Sequence, residues 1–376
     1  SRDFEQDPFD HVQAARRQPG STFKPFVYGA AFAKGMLPTD QLMDQAVEIP
    51  LGGKQVWRPT DGRTPPSNEP MQLRDGLAYS KNTITAQLMQ QVGPQQVAQL
   101  ARAMGVRESW LEAVPALALG ASAVTLKEMV AAYGTIASGG RYMAPTVITR
   151  IEDKNGKLLE QFAPASAERA LSLSAAQELR DALRGVIDKG TGAAIRGRFG
   201  ITADVAGKTG TTQDNTDGWF ILMHPQLVAG AWAGFNDGRI TLRSDYWGQG
   251  AHSALPMVGD VFRQALRARL IDARERFIDE EEGGWVATVG TAAGTLRNWV
   301  YDLFGRRTGA QAGPAGAPPP PQPMPQPDQP RVSEPAASTA PQDERPEIIE
   351  APLIPLQEAT PRTGVPAKPP VWVNQP

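Results

Sequence analysis

The chain has 376 residues, enough for one large domain or two ordinary ones with a sizeable buried core. Its 38 basic and 40 acidic side chains leave a formal charge of −2, without the basic excess that marks a nucleic-acid binder. Cysteine is absent, which excludes a disulfide frame, a thiolate zinc site and a cysteine nucleophile. The histidines are His11, His224 and His252; none lies in a recognisable nucleophile turn, and His11 and His224 read as surface or loop residues. No apolar run approaches the ~18–20 residues of a membrane span, and no targeting pattern opens the chain. The start, "SRDFEQDPFDHVQAARRQPG", reads as a soluble piece of a longer protein.

In chain order, "PFVYGAAFAKG" and "LRDGLAYSKNTITAQLMQQVG" carry helical spacing with glycine stops, and so do "PQQVAQLARAMG" and "TLKEMVAAYGTIASGG". "SAAQELRDALRGVIDKGTG" reads as a further helix, "DGWFILMHP" and "LVAGAWAGFND" as strands joined by a turn, and "ALPMVGDVFRQALRARL" as a closing helix. Helices first, then short strands with tight turns, predict an α+β layered domain over residues 1–272. Residues 273–308 hold an acidic cluster, Glu280 to Glu282, and one amphipathic piece, "TLRNWVYDLFG", read as an appended helix. Beyond it, 19 of the 34 prolines fall in the last 68 residues, so 309–376 reads as a disordered tail.

Three look-alike motifs fail on inspection. "AGKTGTT" ends like a phosphate loop, but Thr202 stands where the first glycine must let backbone amides wrap a phosphate. "QDNTDG" resembles a calcium loop, but Gln213 and His224 occupy its first and last carboxylate positions. "GTGAAIRG" lacks the third glycine of a dinucleotide fingerprint.

A fourth pattern survives. In "RQPGSTFKPF", Ser21 and Lys24 are three apart, so on a helix their side chains share a face. A serine is a weak nucleophile until a base takes its proton. Lysine can be that base only if desolvation or a second cation keeps its amine neutral. Phe23, Phe26 and Tyr28 are candidates for the apolar surroundings. "YSKNT" offers Ser80 for proton relay and Asn82 to hold a peptide carbonyl, at a helix start. "GKTGTT" offers Lys208, Thr209, Gly210 and Thr211 on a predicted edge strand. Period two sends Thr209 and Thr211 one way and Lys208 and Gly210 the other. Hydroxyls and a cation suit a carboxylate, and Gly210 leaves room for a substrate along the strand. Singly, each motif is weak: Ser-x-x-Lys arises by chance roughly once in a few hundred positions. In this order, with 59 and 128 positions between their first residues, the three form a strong signal.

S-x-x-K, a Ser-x-Asn box and K-T-G together are a known signature of class A β-lactamases and penicillin-binding proteins. The wording around the motifs narrows the resemblance to class A (bifunctional) penicillin-binding proteins, most closely the 1A-like branch. "RQPGSTFKPFVYGAAFAKG", "LRDGLAYSKNTITAQLM", "LALGASAVTLKEMVAAYGTIASGGRYMAPTVI", "VIDKGTG", "AGKTGTTQDNTDGWF" and "WAGFNDGR" all look like that family. The likeness runs from about residue 2 to residue 270.

The resemblance implies the transpeptidase fold shared with serine β-lactamases: an antiparallel sheet flanked by helices, plus an all-helical subdomain. It implies a D,D-transpeptidase that cross-links peptidoglycan stem peptides and is acylated by β-lactams at Ser21. Lys24 would be the base, Ser80 the proton relay and Asn82 the donor-peptide anchor. Lys208, Thr209 and Thr211 would bind the terminal carboxylate, with Lys208 also keeping Lys24 neutral. The backbone amides of Ser21 and Thr211 would form the oxyanion hole. No metal or cofactor is implied, and the partners would be D-Ala-D-Ala donors, side-chain amine acceptors, β-lactams and cell-wall regulators. The site would lie on the periplasmic face of a bacterial membrane, through an N-terminal anchor and beside a glycosyltransferase domain that this chain does not contain. Family members also carry a strand pair just upstream, so this piece is expected to be less stable than an extended one. Two other readings stay open: a D,D-carboxypeptidase or β-lactamase on the same scaffold, and a non-catalytic penicillin-recognising domain. A β-lactamase needs a water-activating carboxylate; Glu108, Glu112 and Glu128 lie in the usual interval, none in a recognised loop.

Overall fold

The structure is a computed structural model that describes residue 5 and residues 8–277 apart from 53, 54, 63, 213, 214 and 243. The expected helix in "TLRNWVYDLFG" and the expected tail over 309–376 lie outside the described residues.

A 3₁₀ turn, Gly20–Phe23, runs straight into helix α1, Lys24–Ala33, with Pro25 in its first turn, where proline costs no hydrogen bond. Every α1 residue from Lys24 to Phe32 is buried, so this helix is the axis of the molecule. Short pairs follow: β1 (Gln41–Met43) with β4 (Pro70–Gln72), and β2 (Ile49–Gly52) with β3 (Gln55–Trp57). Then come α2 (Leu73–Ala78), α3 (Asn82–Val92) and α4 (Pro94–Met104). Helix α5 (Leu126–Ala137) opens on a capping box, in which Thr125 accepts from the Glu128 amide and Glu128 reaches back to the Thr125 amide. Two more small antiparallel pairs, β5 (Arg141–Tyr142) with β8 (Glu168–Arg169) and β6 (Arg150–Glu152) with β7 (Leu158–Gln161), lead to α6 (Leu173–Asp188) and α7 (Ala194–Gly197).

The principal sheet is antiparallel, in the order β11 (Leu227–Gly234), β10 (Asp217–His224), β9 (Ala206–Thr211), and α8 (Ala254–Arg267) closes the domain. Strand β10 shows why the sheet is a middle layer. Trp219, Ile221 and Met223 join the core built around α1, α5 and α6, whereas Phe220 and Leu222 join a second core against α8. Period-two alternation with both faces apolar produces this. The expected α+β architecture with helices flanking an antiparallel sheet is what the structure has.

Three details differ from the sequence reading. The helical pattern over "LRDGLAYSKNTITAQLM" is broken at Tyr79–Lys81, where Ser80 takes φ +58 and the chain restarts as α3. His224 is not a surface or loop residue. It ends β10 with no exposure, and burial pulls its imidazole down to about 4, so it is neutral at pH 7. Packing also continues past residue 272. Phe277 is buried, its amide donates to Asp204 at 3.1 Å, and its ring lies under the guanidinium groups of Arg180 and Arg184.

Candidate active site

The Ser21 turn is held from three sides. Thr22 Oγ1 donates to the Pro19 carbonyl at 2.7 Å, and Tyr133 Oη donates to the Thr22 carbonyl at 2.8 Å. Gly20 has φ +53, and a Cβ on it would lie 2.6 Å from the Thr211 carbonyl oxygen. Only glycine combines that backbone with that approach. The turn is thereby seated on the end of β9, with Ser21 half-buried beside Thr211.

Lys24 begins α1 one turn later and is fully buried. Its Nζ donates to the Ser80 backbone carbonyl, and it lies 2.7 Å from Asn82 Oδ1 and 3.2 Å from Ser80 Oγ. Phe23, Phe26 and Tyr28, expected around this lysine, are all fully buried in the same core. Burial first, and then the charge of Lys208, hold the Lys24 ammonium well below the usual lysine range, while Asp61 opposes them in part.

The break before α3 brings the second motif to this lysine. Lys81 N bonds back to the Gly76 carbonyl at 2.8 Å and Ser80 N to the Leu77 carbonyl at 3.1 Å, closing α2 with Ser80 in the left-handed region. A serine there is strained, and such strain persists where the surroundings over-determine it. Ser80 Oγ then lies between two amines, 3.2 Å from Lys24 Nζ and 2.9 Å from Lys208 Nζ. Asn82 presents Oδ1 to Lys24 and donates Nδ2 to the Thr60 carbonyl at 2.6 Å. Lys81 turns the opposite way, onto Asp44 and Asp61, each 2.9 Å away.

Strand β9 supplies the third motif, and its residues alternate as period two requires. Lys208 points inward, fully buried, and burial pulls its amine down to about 7. On the same side, the space beside Gly210 is filled by the Pro19 carbonyl and the Thr22 methyl, 2.6 and 2.9 Å from where a Cβ would sit. The room expected for a substrate is thus occupied by the Ser21 turn, and this glycine lets strand and turn meet. On the other side, Thr209 Oγ1 lies 2.6 Å from Thr191 Oγ1, and Thr211 Oγ1 accepts from the Gly250 amide at 3.1 Å. Thr212 N donates to the Asp217 carbonyl on β10, so backbone alternation turns the Thr211 N–H to the opposite, open edge, beside Ser21.

Ser21, Lys24, Ser80, Asn82, Lys208 and Thr211 thus converge, from three separate stretches of chain. Sequence reasoning missed Thr60, Asp61 and Gly250, which sit in loops without motif wording, and also Thr191. Thr191 had one signal, the "KGTG" string after α6, whose loop locks onto α2 through Thr191 N and the Ala78 carbonyl. Among the described residues, no group of three His, Cys, Asp or Glu side chains is placed to hold a metal ion, and no helix is long and apolar enough to cross a membrane. Glu128 is committed elsewhere: it accepts from the amides of Glu108 and Ser109 and from Ser109 Oγ, besides capping α5.

Comparison with known proteins agrees with this geometry. The family model described as "Penicillin binding protein transpeptidase domain" matches residues 9–227. Penicillin-binding protein 1A of Neisseria gonorrhoeae is 35% identical over 277 residues, covering 71% of this chain and 34% of that protein. Among solved structures, penicillin-binding protein 1A from Haemophilus influenzae superposes with a TM-score of 0.67 at 30% identity, over 73% of this chain and 45% of that one. Penicillin-binding protein A from M. tuberculosis, solved as an imipenem acyl-enzyme complex, shares the fold with a TM-score of 0.57 at 23% identity, over 68% and 62% of the two chains. The chain spans about a third of the length of the curated relatives it matches. It belongs to the penicillin-binding protein transpeptidase domain family.

Proposed function

We propose that the chain is a serine D,D-transpeptidase domain that joins peptidoglycan stem peptides through an acyl-enzyme on Ser21. The observation that carries this reading is the meeting of two buried lysines on one hydroxyl, Ser80 Oγ: Lys24, one helical turn along the chain from Ser21, and Lys208. Two ammonium groups sharing one oxygen in a dry site repel, so the pair holds a single positive charge near neutral pH. With that charge on Lys208, Lys24 is a neutral amine with two N–H donors and one lone pair. Its donors face the Ser80 carbonyl and Asn82 Oδ1, and its lone pair takes the Ser21 proton.

Ser21 Oγ then attacks the carbonyl of the penultimate D-alanine, and the oxyanion settles on the amides of Ser21 and Thr211. A donor of this kind is typically worth ~3–4 kcal/mol. The C–N bond breaks, the leaving D-alanine nitrogen takes its proton through Ser80 Oγ, and an amine on a neighbouring stem accepts the acyl group. Lys208, Thr209 and Thr211 hold the donor's terminal carboxylate, and Asn82 steadies its peptide. β-Lactams acylate Ser21 in this reading; the M. tuberculosis relative is itself solved as an imipenem acyl-enzyme complex. Membrane anchorage on the periplasmic side and a glycosyltransferase partner domain belong, in this reading, to the longer protein.

The test is mass spectrometry after exposure to penicillin. A stable adduct on the peptide bearing Ser21, absent from Ser21→Ala, supports the proposal. An adduct elsewhere, or none, overturns it, and turnover within seconds reassigns the chain to a hydrolase.

A further inference from the structure

The Thr60–Asp61 loop between β3 and β4 lies outside all three motifs, yet it touches the second motif at three points. Asp61 Oδ1 accepts from the backbone amide of Asn82 at 2.5 Å, Asp61 Oδ2 pairs with Lys81 Nζ at 2.9 Å, and the Thr60 carbonyl takes Asn82 Nδ2 at 2.6 Å. We propose that Asp61 is a positioning residue for acylation: with Lys81 it fixes the direction in which Ser80 and Asn82 face Lys24. The proposal rests on the transpeptidase reading above.

The argument begins with the Asn82 amide. A neutral amine at Lys24 can donate to Oδ1 or accept from Nδ2, so Lys24 alone does not choose which end of the amide it meets. The Thr60 carbonyl accepts only, which commits Nδ2 to the loop and leaves Oδ1 for Lys24 at 2.7 Å. Asp61 fixes that carbonyl's place by holding the first amide of α3. Lys81 adds the second constraint. Its ammonium is clamped between Asp61 and the fully buried Asp44, and Asp44 is itself tied to Thr83 Oγ1 at 2.7 Å and to the Ser67 amide at 2.9 Å. With Lys81 anchored on one side, Ser80 and Asn82 must face the other. This is the over-determination that the left-handed Ser80 requires.

The charges around Lys24 make the role separable from mere folding. Facing it are Lys208 from β9, Lys81 from the start of α3 and Asp61 from the loop, and Asp44 faces Lys81 from behind. Asp61 favours the charged form of Lys24, and Lys81 disfavours it. Removing either charge breaks the same ion pair but moves the base in opposite directions.

The experiment measures the rate of Ser21 acylation by a fluorescent penicillin from pH 5 to 10, with thermal melts, for the full chain and for Asp61→Asn and Lys81→Met. Both variants should acylate between about 10- and 100-fold more slowly at the plateau, as expected for a misplaced catalytic group. The acid limb should move to lower pH in Asp61→Asn and to higher pH in Lys81→Met. Unchanged rates, or limbs that move together, overturn the proposal. If Lys81→Met does not fold, Asp61→Asn decides: a slower plateau with a lower acid limb supports the role, and any other result removes it. A wild-type chain unlabelled at Ser21 would instead sink the transpeptidase reading, and this inference with it.

Discussion

Two lysines on either side of one short segment show opposite solutions to burying an ammonium. Lys81 is clamped between two carboxylates, which outweigh the cost of burial and raise its pKa. Burial alone would raise its partner Asp44, but Lys81, Ser67 and Thr83 pull that carboxyl down to about 2. Lys24 is deeper, makes no ion pair with either carboxylate, and has a second lysine for company, so its amine is driven toward neutrality. Ser80 and Asn82 lie between these two environments. A lysine's charge here is set by what surrounds its nitrogen: two carboxylates hold Lys81 charged, while burial and Lys208 drive Lys24 toward the neutral amine that the proposed mechanism requires.

The sharpest way to break this contrast is to keep Lys24 charged. Lys24→Arg retains a cation that does not deprotonate in proteins, so acylation of Ser21 should fall by about 10²- to 10⁴-fold, the usual contribution of a general base. Stopped-flow labelling with a fluorescent penicillin checks this, and near wild-type rates would mean that Lys24 is not the base.

The next effect concerns the seat of the Ser21 turn. Gly210→Ala places a methyl 2.6 Å from the Pro19 carbonyl oxygen and 3.0 Å from Trp219 Cβ. Overpacking of this kind costs about 1–3 kcal/mol. A lowered melting temperature together with slower acylation is expected. Wild-type values for both would show that strand and turn are not held this closely.

A smaller effect is the pH dependence of stability. The folded Lys208 has a pKa of about 7, below its ordinary 10.5, so between those values the unfolded chain holds a proton that the folded chain has shed. Stability should therefore rise from pH 7 toward pH 10 and be lost as pH falls back. Denaturant titrations should give a shallower rise in Lys208→Met. An equal slope in both proteins would mean that Lys208 is not depressed by folding.

Much of the site was legible in the sequence because its chemistry rides on short strings. Ser21, Lys24, Ser80, Asn82 and the Lys208–Thr211 strand lie in the three motifs, and the structure brings them together. The structural reasons around them were less visible. The second motif marked a helix start, but nothing about a serine announces φ +58, so the left-handed turn that closes α2 was not visible. Asp44 and Asp61 sit in ordinary loop wording, and their pairing with Lys81 exists only once the chain has folded. Gly210 was read as room for a substrate, because composition does not say which neighbour fills the space a glycine leaves. The eight short strands from β1 to β8 have two to four residues each, too few for period two to register. His224 was read as a surface or loop residue; two-sided packing of β10 buries it instead.

The most direct measurement is an NMR titration of the chain carrying ¹³C-labelled lysine side chains, with Lys24→Arg and Lys81→Met used to assign the two signals. The account predicts that the Lys24 resonance titrates far below 10.5 while the Lys81 resonance stays in its charged form throughout the neutral range. A Lys24 signal that titrates with the exposed lysines would contradict it.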